Sequence, residues 1–289
     1  MKRRTALGAL GTLGTLGASP FMAATFGQQA FAQTGLLKLD PANPDHNLMI
    51  FRKLAHTMDD SLAFFWANLR RMGQEGPVAT PMWDIKLASV LGTKDVGEDG
   101  TYENTAISMV AYTDTVTGEV LETFDNPWTG ETVDISLFPA APSTRTITKE
   151  GIKAPLIERE GTIVDYASPI GPSYIQGNKV WVYGDDMTTL RSDDEERKLV
   201  FGVNDWSTFT GLYKDVADPS NGNPLSDWYF NDILTWSPWL KMPGHPGNMI
   251  SRGFGAKVRS FDEMPTDIVA LVKRMHPKVY ADPRAALGL

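Results

Sequence analysis

Residues 110–124 read VAYTDTVTGEVLETF, and this stretch decides the fold class. Apolar and polar residues alternate on both sides of the sequence DTVTG, as in two half-buried strands joined by a tight turn. Gly118 is free to take the positive φ that such a turn requires. A second turn sequence, DNPWTG at 125–130, leads into another alternating run at 131–135. Two successive turns of this kind predict an up-and-down antiparallel meander.

The rest of the chain continues the β pattern in both directions. Strands are predicted at 62–69, 82–91, 104–113, 156–166, 179–190, 198–213 and 249–259. Loops are predicted at 73–81, 92–102, 193–197 and 218–224, where turn residues cluster. Helical spacing of apolar residues appears only at 48–58 and 266–275, while two prolines make 36–47 irregular. About ten strands with a short helix at each end predict a mainly β protein, a single antiparallel barrel or sandwich rather than an α/β enzyme.

The first 32 residues have the form of an export signal. A basic start, KRR at 2–4, precedes a weakly apolar stretch rich in glycine and alanine, and AFA at 30–32 has the small-x-small form that signal peptidase accepts. The adjacent Arg3 and Arg4 are typical of a twin-arginine signal, with the general secretory route as the alternative. We therefore predict cleavage after Ala32, a periplasmic location and one mature domain spanning 33–289.

The composition of the mature chain excludes several kinds of partner and site. Removal of the signal takes away three of the 27 basic residues and none of the 35 acidic ones, which leaves a net charge of −11. An acidic protein lacks the basic footprint that nucleic acids and anionic lipids require, so neither is a predicted partner. The absence of cysteine excludes disulfides, iron–sulfur clusters and a cysteine nucleophile.

The densest aromatic stretch lies at 227–247, where DWYF, TWSPWL and PGHPG follow one another. Trp228, Trp236 and Trp239 are predicted either to form one wall of a ligand cavity or to fill the core. His245, in the Pro-Gly elbow, is the candidate acid or base beside that wall.

Polar residues inside aromatic strands supply the other candidates. The carboxyl groups of Asp165 and Asp205 each adjoin an aromatic residue, and such a setting can raise a pKa enough for acid/base catalysis. Because alternate strand residues share a face, Trp181 and Tyr183 are predicted to lie together, as is Trp206 with Asn204. Arg191 completes this second group of candidate ligand-binding residues. The alternative is that the acids cap turns and the rings fill the barrel.

No cofactor site is predicted from the sequence motifs. The chain lacks a Walker-type phosphate loop, a complete dinucleotide fingerprint and a G-x-S-x-G serine elbow. Its four histidines, at 46, 56, 245 and 276, have no metal-ligand spacing, so no metal is predicted. The acidic pairs at 185–186 and 193–196 are expected to be solvated loop charges.

Two blocks of the sequence carry a resemblance to a known family. Residues 112–133, YTDTVTGEVLETFDNPWTGETV, resemble the signature of the bacterial family called domain of unknown function 1838. Residues 237–247, SPWLKMPGHPG, with FDEMP at 261–265, are similar to its C-terminal part. The segment LFPAAP at 137–142 departs from the family's asparagine-rich connection. The resemblance implies a lipocalin-like β-barrel and carries no activity with it.

Two functions follow from a barrel with an aromatic cavity. The first is an enzyme that binds a small, largely apolar molecule and acts on it by cofactor-free acid/base chemistry, as an isomerase, lyase or hydrolase. The second is a non-catalytic carrier of such a molecule. An enzyme needs a titratable group buried at the pocket wall, whereas a carrier needs only apolar lining and an orienting hydrogen bond. A structural or interaction module would instead expose its tryptophans in a surface patch.

Overall fold

The computed structural model describes residues 35–137, 139–153, 162–193 and 199–289. The predicted signal segment 1–32, the first part of the predicted strand 156–166 and most of the predicted loop 193–197 lie outside these residues. The helices are α1 (Pro44–Ala55), α2 (Tyr213–Ala217), α3 (Thr266–Met275), α4 (Pro277–Ala281) and α5 (Pro283–Leu287). None of the helices in the described ranges is long and apolar enough to cross a membrane.

Thirteen strands are present in the described part of the chain. They are β1 (Ala63–Glu75), β2 (Val78–Asp95), β3 (Tyr102–Thr113), β4 (Thr123–Asp125), β5 (Thr132–Asp134), β6 (Ser143–Thr148), β7 (Gly151–Lys153), β8 (Thr162–Ala167), β9 (Ile170–Gln176), β10 (Lys179–Ser192), β11 (Leu199–Leu212), β12 (Ser226–Leu234) and β13 (Asn248–Val258).

The prediction of a single antiparallel β-barrel is confirmed. Ten strands follow one another in the order β7-β6-β3-β2-β1-β13-β12-β11-β10-β8, and β9 also pairs with β10. The two ends of this path approach each other, because the backbone N–H of Ile152 donates to the carbonyl of Ser168 over 2.8 Å. The result is a nearly closed barrel, in which side chains alternate between the interior and the outer face.

Helix α1 covers one end of the barrel. It begins at Pro44, which needs no hydrogen bond at the first helical position, and the Asn43 side chain accepts from the backbone N–H of Asp45 over 2.9 Å. The prediction of an irregular segment up to residue 47 is therefore wrong at its end. Phe51 and Leu54 are buried in the core beneath the helix.

A layer of aromatic residues closes the opposite end, and we call it the aromatic plug. It joins Trp83 and Tyr112 on barrel strands to Phe124 on β4 and Trp239 on the 3₁₀ turn Pro238–Leu240. Trp83 lies at its centre and is 1% exposed. Its ring centroid is 4.9 to 5.4 Å from those of the other three rings, and the centroids of Tyr112 and Trp239 are 6.4 Å apart. The second aromatic pair of the plug, Trp128 and Trp236, packs over Gly73, where any Cβ would collide with both rings.

The plug explains why the predicted meander is wrong in part. The turn at Gly118 forms as predicted, with φ 74° and its N–H bonded to the carbonyl of Asp114 over 3.0 Å. The outgoing strand then leaves the barrel, and β4 pairs with β5 in a separate two-stranded sheet. Phe124 and Val133 of that hairpin bury their side chains in the plug. The hairpin therefore covers the end of the barrel and does not add two strands to the barrel sheet.

Helices α3 to α5 pack on the outside of the barrel. The prediction of a helix at 266–275 is confirmed, and its apolar face, Ile268 and Val272, covers the outer residues of β2 and β3. The predicted loop at 73–81 is instead a tight turn between β1 and β2, with Gly76 at φ 61°. The sequence interpretation also missed β6, β7, β9 and β12, of which β12 is essential to the site.

Candidate functional site

The barrel encloses a cavity of about 620 Å³ between α1 and the aromatic plug. A cavity of this size accommodates a small organic molecule. Its walls are mainly apolar: the lining includes Phe51, Phe65, Leu69, Ile85, Leu87, Leu91, Val110, Phe201, Val203, Phe209, Trp228, Phe230 and Leu234. Among the described lining residues, charged side chains come from β1, β6, β10, β11 and β12.

Three aspartates form a row across neighbouring strands, which we call the carboxylate row. Asp186 on β10 lies directly opposite Asp205 on β11, and Asp205 lies opposite Asp232 on β12. The same register continues through Ser251 on β13 to Arg71 on β1. All three carboxyl groups line the cavity. Like charges on directly opposed residues repel one another, so the row requires compensation.

Arginines compensate both ends of the carboxylate row. Arg71 Nη1 donates to Asp232 Oδ1 over 3.0 Å, and these side chains are 10% and 5% exposed. Arg145 Nη1, from β6, donates to Asp186 Oδ2 over 3.2 Å, and these side chains are 45% and 20% exposed. One pair is therefore deep in the barrel and the other is near solvent.

Asp205, in the middle of the row, has no hydrogen-bond or ion-pair partner among the described residues. Burial raises the pKa of its carboxyl group to about 7, and the negative charges of Asp232 and Asp186 add to the effect. Arg71 and Arg145 partly oppose this shift. Burial also raises the pKa of Asp232, although Arg71 acts against it. Asp205 is thus a cavity-lining group whose protonation changes near neutral pH.

An aromatic wall flanks the carboxylate row. Trp228 on β12 stacks on Phe209 of β11 with the two ring planes 5° apart, and its Nε1–H donates to Ser207 Oγ over 3.0 Å. Phe65 and Phe230 meet Trp228 edge-on. Because the indole N–H is satisfied within the wall, the remaining ring surface is available to an apolar ligand.

Two of the residues predicted from the sequence line this cavity, Asp205 and Trp228. A second group lies outside it. Inward-facing Val182 and Asp205 place their neighbours Trp181, Tyr183 and Trp206 on the outer face of the barrel, because strand side chains alternate.

Asp165 and Arg191 also lie on the outer surface. They form an ion pair over 3.8 Å, with their side chains 67% and 44% exposed. Tyr166, the neighbour of Asp165, points toward the interior and donates to Asp186 Oδ2 over 3.3 Å. The predicted grouping of Asp165 with the cavity is therefore corrected by the register of β8 against β10.

The remaining predicted residues belong to the closed end of the barrel. Trp236 and Trp239 are part of the aromatic plug, and neither lines the cavity. His245 packs edge-on against Trp236. Its Nε2 lies 3.6 Å from the carboxylate oxygen Oε1 of Glu75. The elbow thus places this imidazole beneath the plug and away from the carboxylate row.

The sequence interpretation missed Asp232, Arg71, Arg145 and His56 as cavity residues, and it assigned Asp186 to a solvated loop. Asp186 is instead in the middle of β10. The alternation of residues 228, 230, 232 and 234 would have identified Asp232 as inward-facing once the aromatic stretch was taken as a strand.

The described residues provide no ready site for a metal ion. No group of three or more histidine, aspartate or glutamate side chains there is arranged to hold an ion. The carboxylates of the row are spaced along a sheet rung and engage arginines at both ends.

The fold and the site define a class: an antiparallel β-barrel with an internal cavity that contains a row of acidic side chains. Residues 182–287 match the model of a family described as protein of unknown function (DUF1838). This match spans about a third of the chain and includes Asp186, Asp205, Asp232 and the second block of the resemblance. The first block, 112–133, lies outside the matched residues. A comparison with curated proteins finds no significant match.

Proposed function

We propose that this protein binds a small, largely apolar molecule in the barrel cavity and acts on it by acid/base chemistry, with Asp205 as the proton donor and acceptor. The observation that carries the proposal is the placement of Asp205, whose carboxyl group has no ion-pair or hydrogen-bond partner among the described residues and lines an apolar cavity between two other carboxylates. Perturbed carboxyl groups of this kind are typical of catalytic sites.

The raised pKa gives Asp205 both roles at neutral pH. A carboxyl group with a pKa of about 7 is protonated in part of the molecules and ionised in the rest. The protonated form donates to a basic atom of the substrate, and the ionised form removes a proton from it. Isomerisation, elimination and hydrolysis each need such transfers and need no redox cofactor.

The neighbouring groups position Asp205 and tune its charge. Arg71 donates a direct hydrogen bond to Asp232 on one side of Asp205, and this contact acts against the rise that burial causes in the pKa of Asp232. Arg145 donates a hydrogen bond to Asp186 on the other side. Replacing either arginine removes an opposing positive charge, which raises the pKa of Asp205 further.

A carrier is the second candidate, and the predominance of apolar lining favours it. Both functions bind the same molecule, so turnover distinguishes them. The molecule is first identified by solvent extraction and mass spectrometry of protein purified from its natural host. Asp205→Asn is then assayed for conversion of that molecule, with Asp227→Asn on the outer face of β12 as the matched control.

For an enzyme, Asp205→Asn loses about 10²- to 10⁴-fold in turnover, the usual contribution of a positioned acid or base. The Asp227→Asn control retains wild-type activity, because that carboxylate pairs only weakly with Lys179, 3.8 Å away, at the surface. Binding without turnover in the wild-type protein would establish the carrier. Full turnover in Asp205→Asn would refute the role of Asp205.

We also propose that the protein is exported and works in the periplasm. The support is the charged start, the weakly apolar stretch and the AFA sequence before residue 33. N-terminal sequencing of the exported protein should give Gln33 as its first residue. Replacing Arg3 and Arg4 by lysine should block export if the twin-arginine route is used, and continued export would indicate the general secretory route.

A further inference from the structure

The cavity has another polar side chain at its α1 end, that of His56. His56 follows the last residue of α1 and lines the cavity, although its side chain is otherwise buried and the residue is only 8% exposed. Its Nδ1 lies 2.7 Å from the hydroxyl of Tyr102, which is fully buried. Among the described residues, no partner is present for the other ring nitrogen, Nε2.

The contact with Tyr102 determines which nitrogen of His56 carries the proton. A buried phenolic hydroxyl needs an acceptor, and Nδ1 of His56 is the one that the described residues offer. The hydroxyl therefore donates to Nδ1, and the proton of the neutral imidazole sits on Nε2. The free nitrogen is consequently a hydrogen-bond donor.

Burial and neighbouring positive charges keep this imidazole neutral. Lys257 on β13, Arg52 on α1 and Arg145 on β6 all place positive charge near it. Burial first, and then these three cations, lower the pKa of His56 to about 3. Arg52 also lies over the Tyr102 ring, 4.4 Å from its centroid. His56 therefore keeps the same hydrogen-bonding role over the whole physiological pH range.

We propose that His56 orients the ligand by donating a hydrogen bond from Nε2 to an acceptor oxygen, such as a carbonyl, on an otherwise apolar molecule. The inference rests on the proposed function, because it concerns the molecule that occupies the same cavity. The inference specifies the class of ligand as apolar molecules that carry an acceptor oxygen. A pure hydrocarbon would leave this donor without a partner, and its binding would lack the free energy of that hydrogen bond.

A series of aromatic rings connects the two polar groups of the cavity. Asp205 and Phe209 are four residues apart on β11, or about 13 Å at roughly 3.3 Å per residue. The Phe209 ring contacts Phe51, and the Phe51 ring contacts His56, with centroids 5.9 and 5.4 Å apart. A molecule that contacts both groups therefore lies against these rings, with its acceptor oxygen near His56 and its proton-exchanging group near Asp205.

Two probes of matched size test this directly. 2-Acetylnaphthalene carries an acceptor oxygen and 2-ethylnaphthalene does not, and their affinities are measured by titration calorimetry with the full mature protein. His56→Leu should weaken the acetyl probe about fivefold, the usual worth of one hydrogen bond, and should change the ethyl probe less than about twofold. His56→Gln, whose amide can donate, should recover part of the loss for the acetyl probe.

Tyr102→Phe gives a second measurement that does not depend on the His56 variants folding. It keeps the ring but removes the hydroxyl that fixes the tautomer, so the acetyl probe alone should weaken. Nitrogen-15 chemical shifts of histidine-labelled wild-type protein between pH 5 and 8 should show a neutral His56 with its proton on Nε2.

The outcomes separate this inference from the proposed function. Equal loss of both probes in His56→Leu and Tyr102→Phe would mean that these residues only support the fold, and a proton on Nδ1 would also overturn the inference. If neither probe binds the wild-type protein, the inference fails together with the proposed cavity function.

Discussion

The aromatic plug and the aromatic wall around Trp228 are made of the same residue types, yet they differ in what meets their rings. In the plug, Trp83 has aromatic neighbours on several sides and is 1% exposed. In the wall, Trp228 packs on Phe209 from one side and lines the cavity on the other. Aromatic density therefore does not distinguish core from site. The distinguishing feature is the carboxylate row, which enters the wall and is absent from the described residues of the plug.

Truncation of one ring from each layer tests this contrast and should give the largest effect on stability. Trp83→Ala should lower the free energy of unfolding by about 3 to 5 kcal/mol, because a fully packed ring leaves a cavity. Trp228→Ala should cost less than about half of that, since part of its surface already faces empty space. Urea unfolding followed by circular dichroism measures both.

Ligand binding should show the opposite order. Trp228→Ala should weaken binding of a naphthalene probe about tenfold or more, because a large ring in the binding wall is lost. Where Trp83→Ala remains folded, it should bind the probe nearly as the wild type does. Equal stability losses in the two variants would show that the wall is core and not a binding surface.

The pH dependence of stability sharpens the comparison, because the wall contains a perturbed carboxyl group. The pKa of Asp205 is about 7 in the folded protein and near 3.8 in the unfolded chain. Between these values the folded state binds a proton that the unfolded state lacks, so this group's stabilising contribution is complete below about pH 4. As the pH rises to about 7, the contribution of Asp205 to the free energy of unfolding falls by up to about 4 kcal/mol.

Asp205→Asn should remove this component. Relative to wild type, the variant should therefore gain stability steadily between pH 4 and 7 and show a constant difference above pH 7. Asp227→Asn, on the outer face of the same sheet, serves as the control and should follow the wild-type profile. If the free energies of unfolding of the wild type and Asp205→Asn change in parallel from pH 4 to 8, the raised pKa of Asp205 is contradicted.

The smallest effect is expected at His245, beneath the plug. Its contact with Glu75 over 3.6 Å is partly exposed, and such pairs contribute little to stability. His245→Ala should therefore change the free energy of unfolding by less than about 1 kcal/mol and leave probe binding unchanged. Loss of turnover in this variant would instead support the sequence-based prediction that His245 is catalytic.

Much of the fold was predictable because its signals are local. Runs of strand-forming residues bounded by turn sequences predicted the principal strands β1, β2, β3, β10, β11 and β13. Helical spacing with acidic residues at the start and basic ones at the end predicted α3. The departure of the 119–135 segment from the barrel was not predictable in this way. Alternating sequence specifies a strand with one buried face, but it does not specify which surface covers that face.

The sequence by itself determined the β-barrel class, the acidic character, the absence of thiol chemistry and two of the cavity residues, Asp205 and Trp228. The tertiary structure decided the site. The carboxylate row exists only because Asp186, Asp205 and Asp232 meet in register on the three consecutive strands β10, β11 and β12. A shift of one residue in any pairing would turn its carboxylate to the outer face, since side chains alternate with a period of two. Burial and the charges of Asp232 and Asp186 raise the pKa of Asp205. Neither cause can be read from the residues next to Asp205 in the sequence.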